Sequence, residues 1–241
     1  MRPAFQFTPR FAAALLAATF FLLPAALSTH AEAQEQSTQV HNTAPLHPPK
    51  GARVAIVEFY DLECPLCAAD APLVRQAALQ YNIPLVRHDF PLPFHDWSFQ
   101  AAVNARFFDS KSKKLGDDYR DYIFAHQDQI TVITNGAYDG SKGLPNLRSF
   151  TEKFAAEHKI ALPFVIDPQG KFAAEVKADY ALGQMVGIQH TPTIWVVTNQ
   201  TAGTPFVEVM DASKLYSMID DALAETRGRA PATHHTARPR D

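Results

Sequence analysis

The chain has 241 residues, with 22 Lys and Arg against 25 Asp and Glu, a formal charge of −3 at pH 7 and 46% hydrophobic residues. That balance gives no sign of a cationic nucleic-acid surface, and the length suits one domain with a decorated core rather than two. Cys64 and Cys67 are the only cysteines, so no structural disulfide framework competes for them.

Met1–Ala33 reads as an export signal. Arg2 and Arg10 supply a positive start, residues 11–27 form an apolar run of mostly Ala, Leu and Phe broken by Pro24, and Ala31-Glu32-Ala33 is a small-x-small cleavage pattern. The run approaches the length of a short membrane span, so an uncleaved anchor is the alternative. Either way the working domain is exported, to the periplasm or beyond, where disulfides form and persist. Residues 34–50 are polar, carry Pro45, Pro48 and Pro49 and show no apolar period, which marks a linker.

Val54–Tyr60 is a β-rich run that delivers the chain into Cys64-Pro65-Leu66-Cys67, where a helical pattern starts. Leu66, Ala69, Leu73, Ala77 and Tyr81 recur at steps of three or four, and Pro72 is expected to kink the helix. Residues i and i+3 of a first helical turn are neighbours, so two cysteines there open and close a disulfide with little backbone movement. Pro65 suits that turn, and the helix N-terminus favours a thiolate at Cys64. Redox activity is therefore the leading reading of the pair. Half a zinc site completed from the ten histidines and an inert short disulfide are the alternatives. Covalent haem attachment needs His after the second cysteine, where Ala68 stands.

Ile83–Phe90 reads as a second strand, bounded by Pro84 and Pro91-Leu92-Pro93, which gives the strand–helix–strand order of a parallel unit. From 97 to 187 the pattern is helical, at residues 98–108, 117–129, 147–158 and 172–186. Gly116, Gly136, Gly140, Gly143 and Gly170 read as loop punctuation between these helices, and the charged run 109–114 as a solvated connection. The aromatic stripes read as core. Strand character returns at 193–198 and 205–210, and 211–224 is a last amphipathic helix with Leu215, Ile219 and Leu223 at every fourth position. Residues 227–241, with four Arg and His234-His235, read as a disordered basic tail. This order of elements defines an α/β fold.

Three segments carry a family likeness: Glu58-Phe59-Tyr60 leading to Cys64-Pro65-Leu66-Cys67; Phe90-Pro91-Leu92-Pro93-Phe94-His95; and Gly187-Ile188-Gln189-His190-Thr191-Pro192-Thr193. In their order and separation the chain resembles the thioredoxin-fold proteins of the DsbA-like group, exported thiol–disulfide oxidoreductases in which a helical domain interrupts a thioredoxin core. The likeness spans about residues 54–224. It implies a thioredoxin-like core of residues 51–96 and 188–226 with an α-helical insertion at 97–187. It implies that Cys64 is the nucleophile, Cys67 the resolving thiol and Glu58 a buried acid that passes protons to or from Cys67. Thr191-Pro192 would form a cis-proline loop whose backbone meets an extended substrate strand. The implied chemistry needs no cofactor and no metal. The implied partners are exported proteins with free thiols or disulfides and a membrane redox protein, and the chain itself would be a monomer.

His190, beside that loop, is a candidate to stabilise the Cys64 thiolate, with a plain hydrogen-bonding role as the alternative. His88 and His95 read as satisfying strand and helix ends. The likeness departs at Leu66, where strongly oxidising members have the His of Cys-Pro-His-Cys. A neutral Leu predicts a weaker oxidant unless His190 compensates. The direction of electron flow thus stays open between a disulfide donor and a reductase or isomerase kept reduced by a membrane partner. Outside that class stand a non-catalytic exported binding module with an inert disulfide, and a metal-handling protein using Cys64, Cys67 and a histidine.

Overall fold

A computed structural model describes residues 45–134, 137–200 and 206–227. The expected export signal, most of the linker and the basic tail lie outside the described residues. Among the described residues no helix is long and apolar enough to cross a membrane.

Alternation along β1 (Val54–Tyr60) organises the core. All seven of its residues are buried, as expected of a strand covered on both faces. Parallel β2 (Leu85–Asp89) lies on one side of it and antiparallel β5 (Thr193–Thr198) on the other. On the far side of β5, antiparallel β6 (Phe206–Glu208) completes the order β2-β1-β5-β6. Val54 and Ile56, with Ile194 and Val196, pack against Val74, Ala77 and Ala78 of α1 (Pro65–Tyr81) and Leu215, Ile219 and Ala222 of α7 (Leu215–Glu225). Ala55, Val57 and Phe59, with Trp195 and Val197, face Tyr180, Leu182 and Val186 of α6 (Lys171–Val186). The period of two puts Glu58 on the same face as Ile56, the α1 side.

A second core belongs to the helices α2 (Ser98–Asp109), α3 (Lys113–Ala125), α4 (Gln127–Ile130) and α5 (Gly140–Glu157). Trp97, Phe107, Phe108, Tyr119, Phe124 and Phe154 fill it, and Tyr60 and both cysteines join it from the sheet side. A buried polar set ties the two cores together. Arg120 Nε donates to the Tyr60 hydroxyl at 2.7 Å and its Nη groups to Asp109 at 2.9 and 2.6 Å. The Tyr60 hydroxyl donates to Asp89, and Arg106 bonds Asp89 at 2.6 Å and also Asp179 of α6. In a low-dielectric interior such groups are tolerated because each charge meets an opposite one.

Several boundaries differ from expectation, each for a local reason. The helix expected over 117–129 starts at Lys113, because Ser112 caps it by accepting the Leu115 N–H at 3.1 Å, and it breaks near His126 into α3 and α4. Asp109, expected in a solvated connection, ends α2 and pairs with buried Arg120. Gly116, expected in a loop, sits inside α3, where a Cβ would lie 1.9 Å from Asp109 Oδ1. The helix expected from 147 starts at Gly140 and takes in Gly143 and Pro145. A short hairpin of β3 (Ile133–Thr134) and β4 (Ala137–Tyr138) had no periodic signal. The first helix runs through Pro72 to Tyr81, and a 3-10 turn at Ala212–Lys214 precedes α7. Helix α6, expected with the inserted helices, lies over the sheet, and Gly183 permits this: a Cβ there would meet the Phe90 ring at 2.5 Å.

Candidate active site

Cys64 occupies the N-cap of α1 with extended backbone angles (φ −74°, ψ 120°), and Pro65 opens the helix. One turn on, Cys67 is fully buried, whereas Cys64 keeps 6% of its surface exposed. Both are free thiols. The Cys64 thiol donates to the Thr191 carbonyl at 3.3 Å, and the Thr191–Pro192 peptide bond is cis. The loop before β5 thus stands against the start of α1, although 127 residues separate the two partners.

The two thiols are driven apart in acidity. A hydrogen bond from Cys67 lowers the Cys64 thiol to about 5, against the opposing effect of burial, with smaller help from the Cys67 backbone, Thr191 and the Leu66 backbone. Burial pushes Cys67 far up, and the Cys64 hydrogen bond and charge and the Glu58 charge add to this. At neutral pH Cys64 is a thiolate and Cys67 a thiol.

Glu58 is fully buried. Its strand register sets it opposite Arg87 of β2, whose Nε donates to Glu58 Oε2 at 3.1 Å. Burial raises the Glu58 carboxyl although Arg87 pulls it down. Its second oxygen, Oε1, has no hydrogen-bond partner among the described residues.

The loop between β1 and α1 is held by carboxylates that sequence reasoning passed over. Asp61, with a fully buried side chain, accepts the Glu63 N–H and the Leu92 N–H, each at 2.7 Å, and the Ser98 hydroxyl. His95 Nδ1 donates to the same carboxylate at 2.7 Å. Through its backbone Asp61 touches both cysteines: its carbonyl accepts the Cys64 N–H at 3.1 Å and its N–H donates to Cys67 Sγ at 3.5 Å. Glu63 Oε2 accepts the Trp97 and Ser98 N–H groups at 2.9 and 3.0 Å, capping α2. Gln127 of α4 donates to the Leu62 and Cys64 carbonyls at 2.7 and 3.1 Å. The available signal was two acids within three residues of Cys64, at a helix start where an isolated acid would oppose a thiolate.

Of the histidines, His190 is exposed, with Nδ1 3.2 Å from the Pro192 carbonyl, and is not among the groups that lower Cys64 most. His88 pairs with Asp179 at 2.9 Å. His95 lines a groove of about 400 Å³ with Glu63, Pro65, Phe94, Gln127, Asp128, Thr131 and Ile133. Phe94 and Ile133 leave 73% and 70% of their surface exposed there. Among the described residues no three His, Cys, Asp or Glu side chains are placed to hold a metal ion.

A four-stranded mixed sheet flanked by helices, with a Cys-x-x-Cys pair at the start of α1 facing a cis-proline loop, defines a thioredoxin-like protein. The chain belongs to the thioredoxin family, whose model, described as Thioredoxin, matches residues 49–221. The DsbA-type architecture is shared with crystal structures of low sequence identity. For Wolbachia pipientis alpha-DsbA1 the TM-score is 0.57 at 15% identity, covering 74% of this chain and 90% of that one. Proteus mirabilis ScsC gives 0.52 at 19%, covering 74% and 71%. A periplasmic thioredoxin-like protein of Salmonella enterica serovar Typhimurium gives 0.52 at 15%, covering 73% and 88%. In sequence the chain is 25% identical over 185 residues to the Na(+)/H(+) antiporter NhaA 3 of Salinispora tropica, and spans 26% of that protein's length.

Proposed function

We propose that the protein is an exported thiol–disulfide oxidoreductase acting on protein thiols or disulfides without a bound cofactor. The observation that carries this reading is the split within the pair: a thiolate at the exposed end of α1 and a buried thiol one turn inside. In the dithiol state Cys64 attacks a client disulfide, forming a mixed disulfide and expelling a client thiolate. Cys67 then attacks Cys64 Sγ, the second client sulfur leaves as a thiolate, and the two electrons of the pair end on the client, whose two sulfurs take up the proton released by Cys67 and one from water. Run backwards, the same steps oxidise a client dithiol.

Cys67 is held as a thiol, so it must lose its proton during resolution. Glu58, buried with one oxygen unpartnered and felt electrostatically by Cys67, is the acceptor we assign. Thr191 and Pro192 would meet the client backbone beside Cys64, with His190 on the outer side of that loop. Exposed Phe94 and Ile133 suit contact with apolar, incompletely folded client segments. The leader-like residues 1–33 support export to the periplasm, where a membrane redox partner would reset the pair. We read residues 51–96 and 188–226 as the thioredoxin-like part and, of the expected insertion at 97–187, α2 to α5 as the inserted helices, with α6 packed on the sheet.

The test is turnover of a client peptide with Cys64→Ser and Cys67→Ser. Cys64→Ser is expected to be inactive, and Cys67→Ser to accumulate mixed disulfides on Cys64. Equal turnover by both variants and the unaltered protein rejects the reading.

A further inference from the structure

The motif lacks the internal histidine that stabilises a thiolate, and His190 is exposed with its Nδ1 3.2 Å from the Pro192 carbonyl. The Cys67 hydrogen bond, the largest influence lowering the Cys64 thiol to about 5, brings no net positive charge. The position of His95 offers a source of charge from outside the motif. Asp61 binds both cysteines through its main chain, and its carboxylate holds the His95 ring at 2.7 Å. The same ring lines the groove next to Pro65.

The reason for a charge there starts from Asp61. Its side chain is fully buried beside a thiolate, and like charges in such a place oppose each other. Four groups donate to it: two backbone N–H groups, the Ser98 hydroxyl and His95. Of these only an imidazolium brings a whole positive charge. Among the described residues the ring makes this one hydrogen bond, through Nδ1, so Nε2 is left for the groove.

We propose that His95, held by Asp61 beside Cys64, is the counter-charge of the reacting thiolate and takes the place of the histidine missing from the Cys-x-x-Cys motif. This rests on Cys64 being the reacting group, as read above. The groups facing His95 are Asp61 and Glu63 from the loop before α1, Cys64 at its cap, and Asp128 of α4 across the groove. All are acidic or anionic. Burial disfavours the charged ring, but the Asp61 hydrogen bond and the charges of Asp61, Glu63 and Cys64 together raise it above its ordinary value. Charge coupling is reciprocal: whatever the thiolate does for the imidazolium, the imidazolium does for the thiolate. His95 is a positioning residue in this account, acting through the ionisation of Cys64.

The test uses two readouts that a purely structural histidine would not move. In the unaltered protein, NMR titration of His95 is expected to give a higher midpoint in the reduced than in the disulfide form, because oxidation removes the thiolate charge. Equal midpoints overturn the proposal. In His95→Gln, which keeps a donor for Asp61 but no charge, the pH midpoint of Cys64 alkylation is expected to rise by about half a unit or more. His95→Lys is expected to restore it. An unmoved midpoint in a folded His95→Gln protein overturns the proposal, and if that variant does not fold, the NMR comparison decides. Client-peptide turnover measured alongside separates the two readings. A His95-dependent midpoint without turnover leaves this inference standing and removes the oxidoreductase, whereas turnover with a His95-independent midpoint does the reverse.

Discussion

Glu58 shows how a single side chain acquires its chemistry. On the strand it is one of seven buried positions, and parity alone turns it toward α1. The register of the parallel pair then sets Arg87 against it, with Asp117 3.5 Å from the far end of the guanidinium. Removing one partner of a buried pair leaves a charge with no compensation, so Arg87→Met is expected to lower stability by about 3–5 kcal/mol at neutral pH. Burial already raises Glu58, and without Arg87 it rises further. A carboxyl raised in the fold costs nothing below its ordinary value of 4.5 and becomes increasingly unfavourable as pH climbs from there to the folded value. Urea denaturation should therefore find the loss smaller at pH 5 than at pH 8, and a loss independent of pH would count against an ionised Glu58. Cys64 and Cys67 were legible from spacing and position. Asp61, Glu63 and His95 were not, because their roles depend on which backbone N–H groups the folded loop presents to them.

At the scale of elements, the strong periodic segments were legible and the helix starts were not. β1, β5 and α6 carry runs of apolar residues that only one pairing buries, whereas α3 and α5 begin in polar sequence where a cap or a close contact sets the boundary. The packing of α6 on the sheet supplies a direct test. At Gly183 an added methyl group would sit 2.5 Å from two atoms of the Phe90 ring and 3.2 Å from Phe59. That ring is 4% exposed and stacked on Tyr180, so it has little room to withdraw. Gly→Ala inside a helix gains about 1 kcal/mol in propensity, and overpacking costs about 1–3 kcal/mol. Gly183→Ala is thus expected to lower the denaturation midpoint despite the better helix former, and a raised midpoint would mean that α6 lifts freely off β1 and β2.

For the molecule as a whole, the acidity of one thiol links redox state to stability. Cys64 stands at about 5 against 9.0 for an ordinary thiol. A group depressed in the fold stabilises it fully above its ordinary value, and that contribution fades as pH falls through the folded value. Cys67, raised in the fold, turns unfavourable only as pH climbs past 9.0. The disulfide form has neither titration. The stability of the dithiol form relative to the disulfide form should therefore increase from pH 5 to pH 9, measured as the difference between their denaturation curves, and a constant difference would contradict the low Cys64 value. A thiol near 5 lies between the thiols of thioredoxin, about 7, and DsbA, about 3.5. Glutathione equilibration should accordingly place the potential between about −270 and −120 mV. The weaker oxidant expected from Leu66, unless His190 compensates, would fall below the DsbA end of that range.

Local patterns were enough to settle the family and the α/β class and to single out the Cys64–Cys67 pair, because apolar period, turn residues and i, i+3 spacing are properties of adjacent residues. What separates the acidities of those sulfurs was decided only when the chain closed. Cys67 is fully buried by the closed core and feels the Glu58 charge, and Glu58 in turn meets Arg87 across 29 positions. Electrostatic effects depend on distance and burial, and neither is a function of sequence separation.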